Sequence, residues 1–114
     1  MKFFAEINET YCEVNFYYLA DDCDISDCYC RNWMGYFSFE LTGTDVIIHS
    51  WNLEQYDTRA LRKAINHFIT NYCKPNSIQK IFVERSFGDR VWELLGWEMV
   101  DKCLMLERAA TLCT

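Results

Sequence analysis

Apolar residues recur at helical spacing from Asp57 to Cys73, at Ala60, Leu61, Ala64, Ile65, Phe68, Ile69, Tyr72 and Cys73. Steps of three and four set them in one stripe, which predicts an α-helix with one face on a core. Asp57 or Thr58 is suited to cap its start. Pro75 and Asn76 stop it, with Lys74 near the negative end of the helix dipole.

Before this stretch the pattern alternates with period two. Lys2 to Ile7, with Phe3, Ala5 and Ile7 on one face, and Cys12 to Leu19, with Val14, Phe16 and Tyr18, predict two strands of a hairpin turned at Asn8-Glu9-Thr10. Trp33 to Leu41 predicts a third strand, Thr42-Gly43-Thr44 a turn, and Asp45 to Leu53 a fourth strand. Strict alternation places Ile47, His49, Trp51 and Leu53 on one face of the fourth strand, and Val46, Ile48, Ser50 and Asn52 on the other. Beyond the helix, Ile78 to Arg85 reads as a short strand. Ser86 opens a second helix, with Asp89 in the capping-box position, Val91, Trp92, Leu94 and Leu95 as its apolar positions, and Gly96 as its left-handed stop. Met99 to Glu107 reads as a last strand, and Ala109 to Thr114 as a loose tail or partner contact.

Strands alternating with helices imply a parallel pair with a right-handed crossover. The expected fold is α+β with an α/β-like half: a mixed, mainly antiparallel sheet in one domain, residues 1–114. The fourth strand and the strand at Ile78 to Arg85 should be parallel. The helix bridging them should pack across the sheet through Leu61, Ile65, Phe68 and Ile69.

Composition sharpens this picture. Of 114 residues, 51% are hydrophobic and 17% aromatic, which is core-forming and not disordered. A formal charge of -6 argues against general binding to a nucleic-acid backbone. It suits a basic protein partner. DNA mimicry needs dense carboxylate runs, which only residues 21 to 27 approach. The seven cysteines are odd in number, irregularly spaced and without a signal peptide before them, so reduced thiols of a cytoplasmic protein are expected, with no disulfide framework. Residues 20 to 32 form a loop holding Cys23, Cys28 and Cys30 among aspartates. Its C-x4-C-x-C spacing lacks paired C-x2-C, and both histidines lie elsewhere, so it reads as an exposed acidic loop without a metal. No apolar run is long enough to cross a membrane.

Candidate chemistry concentrates around the start of the main helix. Arg59, Arg62 and Lys63 crowd the end where the macrodipole is already positive, each disfavoured by about 0.3–1 kcal/mol. A bound anion would reverse that sign. Alternatively, the long side chains simply reach into water. His49 and Glu54 are candidate general bases on or just beyond the fourth strand, ahead of His67 on the helix. Equally, His49 is a half-buried strand residue and Glu54 a surface carboxylate. Trp33, Trp51, Trp92 and Trp97 are read as core more than as a ligand platform.

The order strand, helix, strand, helix, strand, with Gln55-x-x-Thr58-x-Ala60 opening the first helix, resembles the GNAT acetyltransferase superfamily, whose pyrophosphate loop reads Q/R-x-x-G-x-G/A. Downstream, Trp92-Glu93-Leu94-Leu95-Gly96-Trp97 is similar to that family's Y-x-x-x-G-F signature. The resemblance spans roughly residues 33 to 108. It implies acetyl-CoA as cofactor, with the pyrophosphate at Gln55, Thr58, Arg59, Ala60, Arg62 and Lys63, and N-acetyltransfer as the reaction. Three departures count against catalysis. Thr58 puts a branched side chain where the family has glycine. Trp92 stands at the place of the acid tyrosine, and an indole N–H is no proton donor for a leaving thiolate. Residues 20 to 32 leave little room for the two helices that wall the family's acceptor site, so the fold is GNAT-like but truncated on its N-terminal side.

The reading is therefore a binding or assembly module with a protein partner and weak or absent acetyl-CoA binding. The order helix, strand, helix and aromatic-rich strand is also similar to certain tailed-phage internal virion or assembly proteins, which implies the host cytoplasm or the virion as location. An acetyl-CoA-dependent N-acetyltransferase is the alternative, and an acidic inhibitor of a host enzyme the second.

Overall fold

A computed structural model of the protein describes residues 2–22, 31–84, 97–100 and 103–106, the last two stretches as strands without their side chains. The strands are β1 (Lys2–Asn8), β2 (Glu13–Leu19), β3 (Arg31–Thr42), β4 (Asp45–Leu53), β5 (Lys80–Glu84), β6 (Trp97–Val100) and β7 (Cys103–Leu106). They form one mixed sheet in the order β1-β2-β3-β4-β5-β7-β6. Between β4 and β5 the chain runs through a short 3-10 turn (Glu54–Tyr56), the helix α1 (Thr58–Phe68) and a π turn (Ile69–Cys73). Among the described residues no helix is long and apolar enough to cross a membrane.

The mixed α+β architecture has the expected parallel pair. β4 and β5 are parallel over Asp45 to Ile48 and Lys80 to Val83, and the other pairings are antiparallel. A parallel pair needs a long crossover, which α1 supplies. The Met99 to Glu107 strand departs from expectation. The chain there forms two antiparallel strands, β6 and β7, with Trp97 opposite Leu106 and Val100 opposite Cys103. The second helix expected from Ser86 to Gly96, the acidic loop's Cys23 to Cys30, and Trp92 lie outside the described residues.

The stripe read from the sequence is the buried face of α1. Ala60, Leu61, Ala64, Ile65 and Phe68 are buried, and Ile69 packs at the edge of the same core. Phe68 meets Phe37 edge-on at 5.3 Å and Phe39 at 4.8 Å, and lies parallel to Tyr72 at 5.2 Å. These separations are those of favourable aromatic pairs. The π turn ends the helix with Lys74 N–H donating to the Ile69 carbonyl at 2.9 Å. The wider turn leaves both Tyr72 and Cys73 buried. Burial pushes the Cys73 thiol up to about 12, so it serves as a small apolar core residue. Cys73 and the half-buried Cys12 are free thiols.

Two register shifts re-phase the sheet. Between β2 and β3, Phe16 faces Gly35 and Tyr17 faces Trp33, leaving Met34 as the extra residue. Between β3 and β4, Ser38 faces Ser50 and Phe39 faces Ile48, leaving His49 as the extra residue of a β-bulge. The bulge corrects the face assignment made by strict alternation. Val46 and Ile48 point into the core before it; after it, Leu53 is buried and Trp51 packs against the core, while His49, Ser50 and Asn52 are exposed. Trp33 is half-buried among the aromatic residues of β2 and β3, stacked with Tyr36 at 6.3 Å and donating its indole N–H to Asn15 Oδ1 at 3.1 Å.

Gly35 is where backbone and ring approach most closely. Its φ is +152°, and a Cβ there would sit 2.4 Å from the Asn52 carbonyl oxygen and 2.8 Å from the Phe16 ring. Gly35→Ala is expected to cost more than the about 1–3 kcal/mol of ordinary overpacking. Phe16→Leu should not rescue it, because the Asn52 carbonyl stays in place. Phe68→Ala is expected to lower stability by about 3–5 kcal/mol and Phe68→Leu by much less, read as a shift of the urea midpoint at constant slope.

Candidate functional site

The bulge sets up the densest polar cluster in the described sheet. Alternation along β3 turns Phe37 and Phe39 inward and leaves Glu40 exposed. Alternation along β5 does the same with Ile81 and Val83, leaving Glu84 exposed. His49, the extra residue on the strand between them, reaches both. Its Nδ1 lies 2.7 Å from Glu84 Oε2, and its Nε2 lies 2.5 Å from Glu40 Oε2. Beside them the Ser38 and Ser50 hydroxyls share a 2.5 Å hydrogen bond.

A carboxylate only accepts, so two such contacts require both imidazole nitrogens to donate, which is the imidazolium form. His49 is accordingly raised above its ordinary value, first by the hydrogen bond to Glu84 and then by that to Glu40, with partial burial working the other way. As a general base it is poorly placed: both nitrogens are engaged by carboxylates, and neither partner is Glu54. Glu54 itself is exposed in the 3-10 turn after β4. The sequence named His49 but not Glu40 and Glu84. Their outward phase on neighbouring strands was the available signal, and the bulge that brings the three together left none.

The candidate anion site is built by the turn into α1. Gln55 adopts a left-handed backbone, φ +56°, and is exposed. Asp57 is the N-cap: its Oδ1 accepts the backbone N–H of Arg59 at 3.1 Å and of Ala60 at 3.2 Å. The dipole's positive end and its free donors are thus met by a carboxylate of the chain itself. Thr58 begins the helix half-buried, and Ala60 is fully buried.

Of the three cations, one is placed against aromatic rings of the sheet and two are exposed. Arg59 is 90% exposed, with Nε 3.9 Å from Asp57 Oδ1, a contact of little energetic weight at that exposure. Arg62 is exposed. Lys63 extends the other way, its Nζ 5.5 Å from the Tyr18 ring and 5.9 Å from the Phe3 ring, over the β1–β2 hairpin. His67 is half-buried at the helix end, its Nδ1 3.3 Å from Asn71 Nδ2. Among the described residues no group of three or more His, Cys, Asp or Glu side chains is arranged to hold a metal ion.

Beyond Ile48, β4 continues to Leu53 paired with β3, whereas β5 pairs with β4 no further and turns its other edge to β7. The last described pair of the parallel strands is Ile48 with Val83, and the turn into α1 begins five residues after His49. Compared with known protein families, curated proteins and solved structures, the chain matches none of them.

The cluster makes a testable contribution to pH dependence. Because the His49 value is raised on folding, its stabilisation is complete below its unfolded value of 6.5 and is lost as pH rises through the folded value. The side chain is 38% exposed, so solvent screening keeps the gain near the about 0.2–1 kcal/mol of exposed pairs. Urea melts at pH 5.5 and 8.5 should show that difference in the native chain, and His49→Gln should flatten it.

Proposed function

We propose that the chain is a non-catalytic binding or assembly module that uses an acetyltransferase-like sheet to meet a protein partner. One observation carries this reading: the Asp57 carboxylate occupies the N–H groups of Arg59 and Ala60 at the start of α1. These are the donors that a cofactor's pyrophosphate would need. An incoming anion would have to displace a carboxylate that is already covalently held in place. Thr58 adds its branched side chain at the same turn, and His49 is committed to two glutamates. Each feature favours binding over turnover.

The N-acetyltransferase reading draws on a different observation. The parallel β4–β5 pair runs with its C-terminal ends toward the turn into α1, and open α/β sheets bind ligands outside the carboxyl ends of their strands. On that reading Arg59 and Arg62 hold the phosphates, and Glu54 is the remaining base.

Thermal melting with acetyl-CoA separates the two. A ligand at about 100 times its Kd stabilises a fold by about 2.7 kcal/mol. The native chain is expected to melt unchanged in millimolar acetyl-CoA. Asp57→Ala, which frees the two N–H groups, should lower stability by about 0.5–2 kcal/mol through loss of the cap. A clear upward shift in the native chain, abolished by Arg59→Ala or Arg62→Ala, would overturn the module reading in favour of the enzyme.

A further inference from the structure

We propose that β1 is a self-pairing edge, on which a second copy of this chain lays its own β1 antiparallel, giving a two-fold dimer with one continuous sheet. β1 ends the sheet: among the described residues no strand lies beyond it. It is the longer of the two terminal strands, seven residues against four in β6. Exposed edges are usually blunted by proline, by a bulge or by charged side chains. β1 has no proline, and it pairs with β2 from Lys2 to Asn8 without a register shift. Its two charged residues, Lys2 and Glu6, are opposite in sign, and no ion pair within the copy engages either among the described residues.

The spacing of these charges selects one register. A two-fold axis through Phe4 pairs each residue with the one an equal distance on its other side. Lys2 then faces Glu6 of the second copy, and Glu6 faces its Lys2, so the junction holds two ion pairs and each of the four charges has a partner. On the same face Phe4 meets Phe4. Each Phe4 already lies stacked on Tyr17 of its own hairpin, 6.2 Å between centroids, so four rings run across the junction. On the other face the large, half-buried Phe3 is opposite the small, buried Ala5. Moving the axis to Ala5 would instead set Lys2 against Asn8 and Phe4 against Glu6, losing both the charge pairs and the ring contact. The contact is isologous, as a closed dimer requires. It is also a single strand pair, small beside the interfaces of obligate dimers, so the association is weak and reversible.

This inference is independent of whether the chain binds acetyl-CoA. Its test is sedimentation equilibrium of the full chain between about 10 µM and 1 mM, the range in which weak self-association is visible. The native chain is expected to show a monomer–dimer equilibrium. Lys2→Glu alone and Glu6→Lys alone should each weaken it about tenfold or more, by setting like charges opposite one another. The double variant Lys2→Glu with Glu6→Lys should restore it, which no merely structural role of either exposed residue predicts. Circular dichroism would establish that each variant keeps the fold. A native chain that stays monomeric throughout the range, single reversals that leave the equilibrium unmoved, or a double variant as weak as the singles would each overturn the proposal.

Discussion

Phe68 is the contact on which the arrangement depends. Its ring is enclosed by Phe37 and Phe39 of β3 and by Tyr72 one turn further along the chain. That cluster fixes the end of α1 on β3, two strands away from β5, while the helix also lies against β1 and β2. The parallel pairing of β4 with β5 spans only four residue pairs and cannot be closed locally, since a chain that leaves β4 must cross the sheet before it can run parallel beside it. The burial of one helical stripe against one aromatic strand is what holds that crossover. Ile65, Leu61 and the buried side chains of β4 and β5 then extend the same core.

The bulge at His49 is the second constraint, and it links packing to electrostatics. A single extra residue turns the strand's phase, so that Ile48 before it and Leu53 after it both face the core despite their odd separation. The residue left over is directed to the polar face, between glutamates of the two neighbouring strands. Three strands are thereby tied through one imidazole, beside the last described β4–β5 pair, Ile48 with Val83. Exposure limits what this tie contributes to stability. Its clearer effect is chemical, since it consumes both nitrogens of the side chain best suited to accept a proton.

A similar self-sufficiency governs the start of α1. A helix N-terminus with three nearby cations invites an anion, and the chain supplies one in Asp57. Lys63 is drawn off to the rings of Phe3 and Tyr18, which cover the edge-strand end of the sheet. Two helix-start N–H groups and one of the three cations thus find partners within the fold, while among the described residues no strand pairs with the outer edge of β1.

Periodicity alone determined much of the architecture. The apolar stripe from Ala60 to Phe68, the alternation along β1 and the first half of β2, the Thr42-Gly43-Thr44 turn and the parallel sense of β4 and β5 all follow from repeat lengths and from the chain's inability to reverse without a loop. Local chemistry also named Asp57 as one of two caps. What the tertiary structure decided was phase, pairing and charge state. The bulge at His49 has no local signature, because it exists only relative to the strand opposite. The antiparallel pair β6 and β7 divides a run that reads equally well as one strand. Glu40 and Glu84 are 44 residues apart in sequence and meet one histidine only after β3, β4 and β5 are aligned. Sequence patterns report what each segment prefers on its own; which polar groups satisfy one another is settled by long-range register, and on that register the chemistry of this protein rests.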